Sequence, residues 1–194
     1  DVTLVEAKTR ACIEKQVPRE HFGLWEHTQI TFAIEGVSRD LMAQLTRHRH
    51  RTFDIQSMRD ANYSDADVVV PASIRSEDHV ARETGLVELS DSMQAYLLDV
   101  YESAVSRSFD AYDELVEHGV PKEDARMVLP LGTNVNITVS GNARAFLHLL
   151  NIRGKADAQW EIRELAAELE EHLYQWMPYT VNWFRSSRPH SLSP

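Results

Sequence analysis

Cysteine is almost missing from this chain: Cys12 is the only one in 194 residues. That excludes an internal disulfide and a cysteine-rich metal site, and it fits a reducing cytoplasm. Long apolar runs are missing too, and none approaches the ~20 residues a membrane-crossing helix needs. Asp1 to Val5 carry no basic stretch followed by an apolar one, so no secretory signal is expected there. Positive charge is in deficit, with 20 basic against 30 acidic residues and a net charge of -10, which argues against a general nucleic-acid binder. Lysine is scarce among the cations: 16 of the 20 basic residues are Arg and 4 are Lys. Arginine is the planar, bidentate partner of carboxylates, phosphates and imide-like edges. No internal repeat, low-complexity tract or Gly/Ser linker interrupts the chain, so one well-cored domain over residues 1–194 is expected.

Against this background the positive charge that is present is concentrated. Arg47-His48-Arg49-His50-Arg51 stand in a row, with Ser57 and Arg59 soon after. A cationic run in so acidic a chain costs self-repulsion, so it is expected to face an anion. A phosphorylated small molecule or cofactor, a nucleic acid, or nearby Asp and Glu side chains would each serve. A helix end explains one or two of these cations through the macrodipole, but not five. His48, His50 and Asp54 have ligand chemistry, yet the flanking arginines would repel a divalent cation, so no metal is expected. Glu168 and His172, one helical turn apart beside Glu170 and Glu171, read as a solvated face. Ser57 has no inferable His–Asp partner, so it suits hydrogen bonding to an anion better than nucleophilic attack.

The periodicities place these residues on elements. Ile30, Phe32 and Ile34 alternate as a half-buried strand over 28–35, which Gly36 is expected to break. Ser38 is a good N-cap for a helix through Leu41, Met42 and Leu45, leaving the basic run at its C-terminal end or just beyond. Phe53, Ile55 and Ser57 then alternate with Asp54, Gln56 and Met58 in a short extended segment. Residues 65–85 have turn chemistry and read as an exposed excursion. A long helical period runs from about Val87 to His118 and is closed by Gly119, and Pro121 starts a short helix carrying Arg126. Val135, Ile137 and Val139 alternate as another strand. Ser140 is placed to cap a helix through Ala145, Phe146, Leu149 and Leu150, ending near Arg153-Gly154. Asp157 is placed to cap a last helix through Trp160, Ile162, Leu165, Leu169 and Leu173, stopped by Pro178. The fold class expected is α+β: a small, mainly antiparallel sheet packed by helices, one of them long. Asn142-Ala143-Arg144 opens a helix, where backbone N–H groups favour anions.

Taken together the motifs resemble a family. Gln44-x-x-Arg47-His48-Arg49, then seven residues, then Ser57-x-Arg59, is similar to the Arg-His-Arg-x7-Ser signature of flavin-dependent thymidylate synthases. His21-Phe22-Gly23-Leu24-Trp25-Glu26-His27 precedes it, and Asp124-Ala125-Arg126-x-Val128-Leu129-Pro130 follows. Asn142-Ala143-Arg144, His148, Asn151-Ile152-Arg153 and Ala158-Gln159-Trp160-Glu161-Ile162 come next, in the family's order and spacing. The resemblance covers roughly residues 2–185.

The resemblance implies a cytoplasmic homotetramer with active sites between subunits, each holding FAD and dUMP, and no role for nucleic-acid polymer or membrane. It implies flavin contacts from Gly23, Arg47, His48, Arg49, Asn142, Ala143, Arg144 and His148. It assigns the nucleotide to Gln44, Leu45, Thr46, Arg47, Ile55, Gln56, Ser57, Met58, Arg59, Arg126 and Arg153. Arg153 matches the arginine that stabilises the ionised uracil N3 edge and carries the catalytic role. The implied reaction is reductive methylation of dUMP to dTMP for dTTP synthesis. Its carbon donor is 5,10-methylenetetrahydrofolate, with FAD and NADPH as hydride source. The chain departs from the pattern at Gly23, where Ser or Thr is frequent and only backbone is left to contact flavin. It departs again at Ile55, where some members have a flavin-contacting Glu, and at Asp60, where Tyr is frequent.

Overall fold

A computed structural model describes residues 2–75 and 90–187. In chain order it contains α1 (Val2–Gln16), 3-10 turns at Val17–Arg19 and Phe22–His27, β1 (Ile30–Ser38), α2 (Arg39–Leu45), β2 (Arg51–Ile55), α3 (Ala72–Arg75), α4 (Asp91–Glu117) and α5 (Lys122–Ala125). A 3-10 turn at Arg126–Val128 leads to β3 (Asn134–Gly141), α6 (Ala143–Arg153), α7 (Trp160–Trp176) and α8 (Pro178–Ser187). The strands form one antiparallel sheet in the order β1-β3-β2, so the expected α+β class with a long helix is observed. The chain divides into two compact units. One comprises Asp1–Ala33, Gln44–Asp54 and Thr138–Pro194; the other comprises Ile34–Ala43 and Ile55–Ile137.

The first unit is built on α6 and α7. Phe146, Leu147 and Leu149 of α6 are fully buried, and so are Ile162 and Leu173 of α7 and Val181 and Phe184 of α8. These are the apolar positions that the 3.6-residue period assigns to one face. α8 itself is a difference from expectation. Pro178 opens a further helix instead of ending the chain's helical structure, because proline's missing N–H is harmless in a first turn. α1 was not expected at all, since it has little apolar periodicity: Ile13 is buried, while Val5 and Cys12 are exposed.

The second unit packs α4 against the segment around Tyr63. Tyr112, Tyr63, Met58 and Ala125 are buried together, with Leu115, Val116, Val120 and Leu129 against them. Met58 therefore lies in a core, not on the polar face of an extended segment, because β2 stops at Ile55 and the chain turns. Ser90 caps α4 by accepting from the Met93 N–H at 3.3 Å, and Gly119 follows the helix end at φ +87. Of the expected excursion 65–85, the described part pairs Val68 with Thr133 in a bridge and forms α3. Residues 76–89, and with them Val87 and Leu89, lie outside the described residues.

Three boundary expectations are corrected. β1 runs through Gly36 to Ser38. Glycine's tolerance of φ +68 lets the strand kink there without ending, and the Gly36 N–H donates to Asn136 Oδ1 at 3.2 Å. The cap of α6 is Asn142, whose side chain accepts from the Ala145 N–H at 2.9 Å; Ser140 is still in β3, its hydroxyl paired with that of Thr31 at 2.8 Å. The cap of α7 is Gln159, accepting from Ile162 at 3.1 Å, because a turn closed by Ala158 N–H to Lys155 carbonyl delays the helix past Asp157. The Ser38 cap is as expected, accepting from Leu41 at 3.0 Å.

Candidate functional site

The basic run leaves α2 in a tight turn. The Arg47 and His48 N–H groups donate to the Gln44 and Leu45 carbonyls at 3.3 and 3.1 Å. His50 then takes a left-handed φ of 62, unusual for a side chain but more frequent for His than for most. This reversal sorts the five residues. Arg47, Arg49 and His50 are exposed, His48 is only 8% exposed, and Arg51 enters β2 half-buried.

His48 meets α6 from the same unit. Arg153, the last residue of α6, donates its Nε–H to His48 Nε2 at 2.8 Å. A guanidinium only donates, so His48 Nε2 is the acceptor and the ring is neutral with its proton on Nδ1. Electrostatics agree. Burial, then Arg51, Arg153 and His148, push the imidazole down from 6.5 to about 4. His148 is held below its ordinary value as well, first by burial and then by Arg51, Arg144 and His50.

Arg51 is a half-buried cation of this cluster. It donates through Nη2 to the Ala145 carbonyl, and its guanidinium carbon lies 5.4 Å from the centre of the Phe146 ring. It pairs with no carboxylate among the described residues, and its buried Nε–H has no partner there. Desolvation pulls its pKa down to about 10. Gly141 makes this packing possible: a Cβ there would stand 3.1 Å from Arg51 Cγ and 3.3 Å from the Phe146 ring.

The N-terminus of α6 is tied to the 3-10 turn at Phe22–His27. The Ala143 N–H donates to Thr28 Oγ1 at 2.9 Å, and that hydroxyl donates to the Trp25 carbonyl at 2.7 Å. Arg144 pairs with Glu26. Gly23 lies exposed in the same turn. The first unit thus gathers Arg47, His48, Arg49, Asn142, Ala143, Arg144, His148 and Arg153 on the β2 approach, α6 and neighbouring turns. Arg51, Glu26 and Thr28 were not singled out from sequence. Arg51 was visible as a member of the basic run, and Glu26 lies within the His21–His27 motif, but only the fold reveals their partners.

The second unit gathers another subset. Ser57 Oγ accepts from the Arg59 N–H at 3.2 Å. Arg59 meets the Glu123 carboxylate at 2.9 Å, and Arg126 donates to the Glu123 carbonyl at 3.0 Å. Both partners of the Arg59–Glu123 pair are exposed, so the pair contributes little to stability and Arg59 can exchange it for another anion. Among the nucleotide candidates, the side chains of Leu45 and Met58 are buried in protein. Gln56 is exposed, and its N–H is used on the Asn136 carbonyl at 3.0 Å. Thr46 is exposed, while Gln44 and Ile55 are half-buried. No group of His, Cys, Asp and Glu suited to a metal occurs among the described residues.

The neutral His48 predicts a pH dependence of stability. Its folded pKa of about 4 lies below the ordinary 6.5, so the unfolded chain takes up the proton first as pH falls. Its stabilising contribution is present above 6.5 and lost between about 6.5 and 4. The denaturant midpoint of wild type is expected to fall more steeply over that window than that of His48→Gln. Parallel curves would contradict the burial of a neutral ring.

Comparison with known proteins gives consistent findings. The Thy1 family profile, described as thymidylate synthase complementing protein, matches residues 2–179. The chain is similar to the flavin-dependent thymidylate synthase of Haloarcula marismortui, 41% identical over 98% of this chain and 82% of that protein. It is equally similar to that of Halobacterium salinarum, 41% identical over 98% of this chain and 81% of that one. Among solved structures it resembles the UMP/dUMP methylase PolB from Streptomyces cacaoi bound with 5-Br dUMP. There the TM-score is 0.79 at 26% identity, covering 93% of this chain and 80% of that chain.

Proposed function

Because this chain belongs to the flavin-dependent thymidylate synthase family, we propose that it methylates dUMP at uracil C5 to give dTMP, taking the carbon from 5,10-methylenetetrahydrofolate and releasing tetrahydrofolate. FAD held by the residues named below would supply the hydride that completes the methyl group, with NADPH as the reductant. The observation that carries this reading is the cationic cluster of the first unit. His48, His148 and Arg51 are pressed together with Arg144 and Arg153, and no carboxylate is among the groups that perturb His48 or His148. Such a cluster fits an anionic cofactor. Arg51's partnerless, buried Nε–H and the exposed Arg47 and Arg49 are the donors an anion would offset.

In this reading Gly23, Arg47, His48, Arg49, Asn142, Ala143, Arg144 and His148 hold FAD, Gly23 through its backbone. The nucleotide falls to Gln44, Thr46, Arg47, Gln56, Ser57, Arg59, Arg126 and Arg153, with Leu45, Ile55 and Met58 contributing main chain. PolB was solved with 5-Br dUMP, which supports a pyrimidine nucleotide as the substrate class. Among the described residues Arg153 uses only its Nε, on His48, so its two terminal nitrogens can face the uracil edge and stabilise negative charge as it develops. The family match runs through both units, which supports residues 1–194 acting as one functional domain. Active sites are shared between copies of a homotetramer, and the single exposed Cys12 suits the cytoplasm.

The test is label release from dUMP tritiated at C5, dependent on FAD, NADPH and the folate donor. A purified protein that takes up no flavin and releases no label refutes the reading. Arg49→Ala is expected to weaken flavin retention about tenfold, the size of one charge-assisted hydrogen bond, read as flavin absorbance after dialysis. Unchanged absorbance would remove Arg49 from the cofactor set.

A further inference from the structure

We propose that His48 is a positioning residue for Arg153: its Nε2 anchors the guanidinium through Nε–H, so that the two terminal nitrogens are presented to the nucleotide in one fixed orientation. The inference rests on the nucleotide role of Arg153 and adds how that role is held in place. A role at the flavin alone would not require this contact.

Three observations carry it. The Arg153–His48 bond of 2.8 Å is the only hydrogen bond or ion pair Arg153 makes among the described residues, so no carboxylate competes for its orientation. His48 as a residue is only 8% exposed, so water has little access to compete for the bond. The charged and titratable groups acting on the ring are Arg51 from β2 and Arg153 and His148 from α6, and all of them oppose a second proton. An imidazolium has no lone pair to offer, so this surrounding charge keeps His48 able to accept. An Arg–carboxylate pair would also orient the guanidinium, but it would neutralise part of the charge meant for the substrate. A neutral imidazole orients it and leaves the positive charge intact. The position at the C-terminus of α6, at the negative end of the helix dipole, further favours the guanidinium there.

The experiment is a double-mutant cycle on the FAD-loaded enzyme, reading dUMP affinity by calorimetry. His48→Leu is expected to weaken dUMP about tenfold to a hundredfold, the range for losing a hydrogen bond to a charged group. His48→Gln, whose side-chain oxygen reaches the same place, recovers most of that loss. In an Arg153→Ala background, titrated at high nucleotide concentration, His48→Leu changes affinity by less than about twofold, because the group it acts through is gone. Additive losses in the two backgrounds overturn the proposal. Should His48→Leu fail to hold flavin, nitrogen NMR of wild type decides instead. A neutral ring with Nε2 unprotonated at neutral pH supports the anchor, and a protonated Nε2 overturns it. If wild type itself binds no dUMP, the functional reading fails, while the tautomer measurement still reports on the His48–Arg153 bond.

Discussion

Arg153→Ala is expected to lower turnover of dUMP by a factor of about 10² to 10³, the loss seen when one preorganised donor to a developing negative charge is removed. Bound flavin should stay, because the cations assigned to it, Arg47, Arg49 and Arg144, are all retained in the variant. The fold should stay too. Arg153 is the last residue of α6 and is not one of the helix's buried apolar side chains, so truncation leaves those core side chains in place. The decisive measurement is single-turnover formation of dTMP at saturating folate donor, with flavin absorbance recorded on the same sample. Arg153→Lys keeps the charge but loses the planar fork, and it should fall between wild type and alanine. Wild-type-like turnover in Arg153→Ala would remove the catalytic assignment, whatever the flavin spectrum shows. A colourless variant would instead mean that Arg153 belongs to the cofactor's binding.

Much of this site could be read from residue order alone. Alternation in Val135, Ile137 and Val139 and the 3.6-residue period through Phe146, Leu149 and Leu150 reflect burial on one face, which sequence displays directly. The caps were less legible. Ser140 and Asp157 are good cap residues by chemistry, but Asn142 and Gln159 won because strand pairing and a tight turn consumed the backbone before the helices began. α1 was illegible, since it lacks an apolar stripe: Ile13 is buried while Val5 is exposed. The basic run was conspicuous, yet its sorting was not. Nothing in the order Arg47 to Arg51 says that His48 and Arg51 turn inward while their neighbours stay out. That depends on the left-handed turn at His50 and on the missing Cβ at Gly141, both tertiary facts.

Phe146→Ala is expected to be the most destabilising single change in the first unit, and it tests whether core and site are one structure. Phe146 is fully buried, its ring 5.1 Å from that of Phe32 at a near-perpendicular 82°. The Arg51 guanidinium also stands over this ring, 5.4 Å from its centre. Truncation removes the ring's transfer energy and leaves a cavity, together costing about 3–5 kcal/mol. Losing the cation–π contact adds about 1–2 kcal/mol for a desolvated guanidinium. The midpoint of thermal unfolding should drop by roughly 10 °C or more in a chain of this size. Phe146→Leu restores most of the volume but not the aromatic face, so the difference between the two variants isolates the volume term. Repeating both in an Arg51→Met background measures the coupling. If the ring supports Arg51, the penalty for Phe146→Leu shrinks there, because no cation is left to strand. Fluorescence-monitored urea unfolding of the six proteins provides the numbers. A loss below about 1 kcal/mol for Phe146→Ala would mean that the ring is not packed as the fold requires. In that case α6 could not hold His148 and Arg153 against His48 in the arrangement on which the chemistry depends.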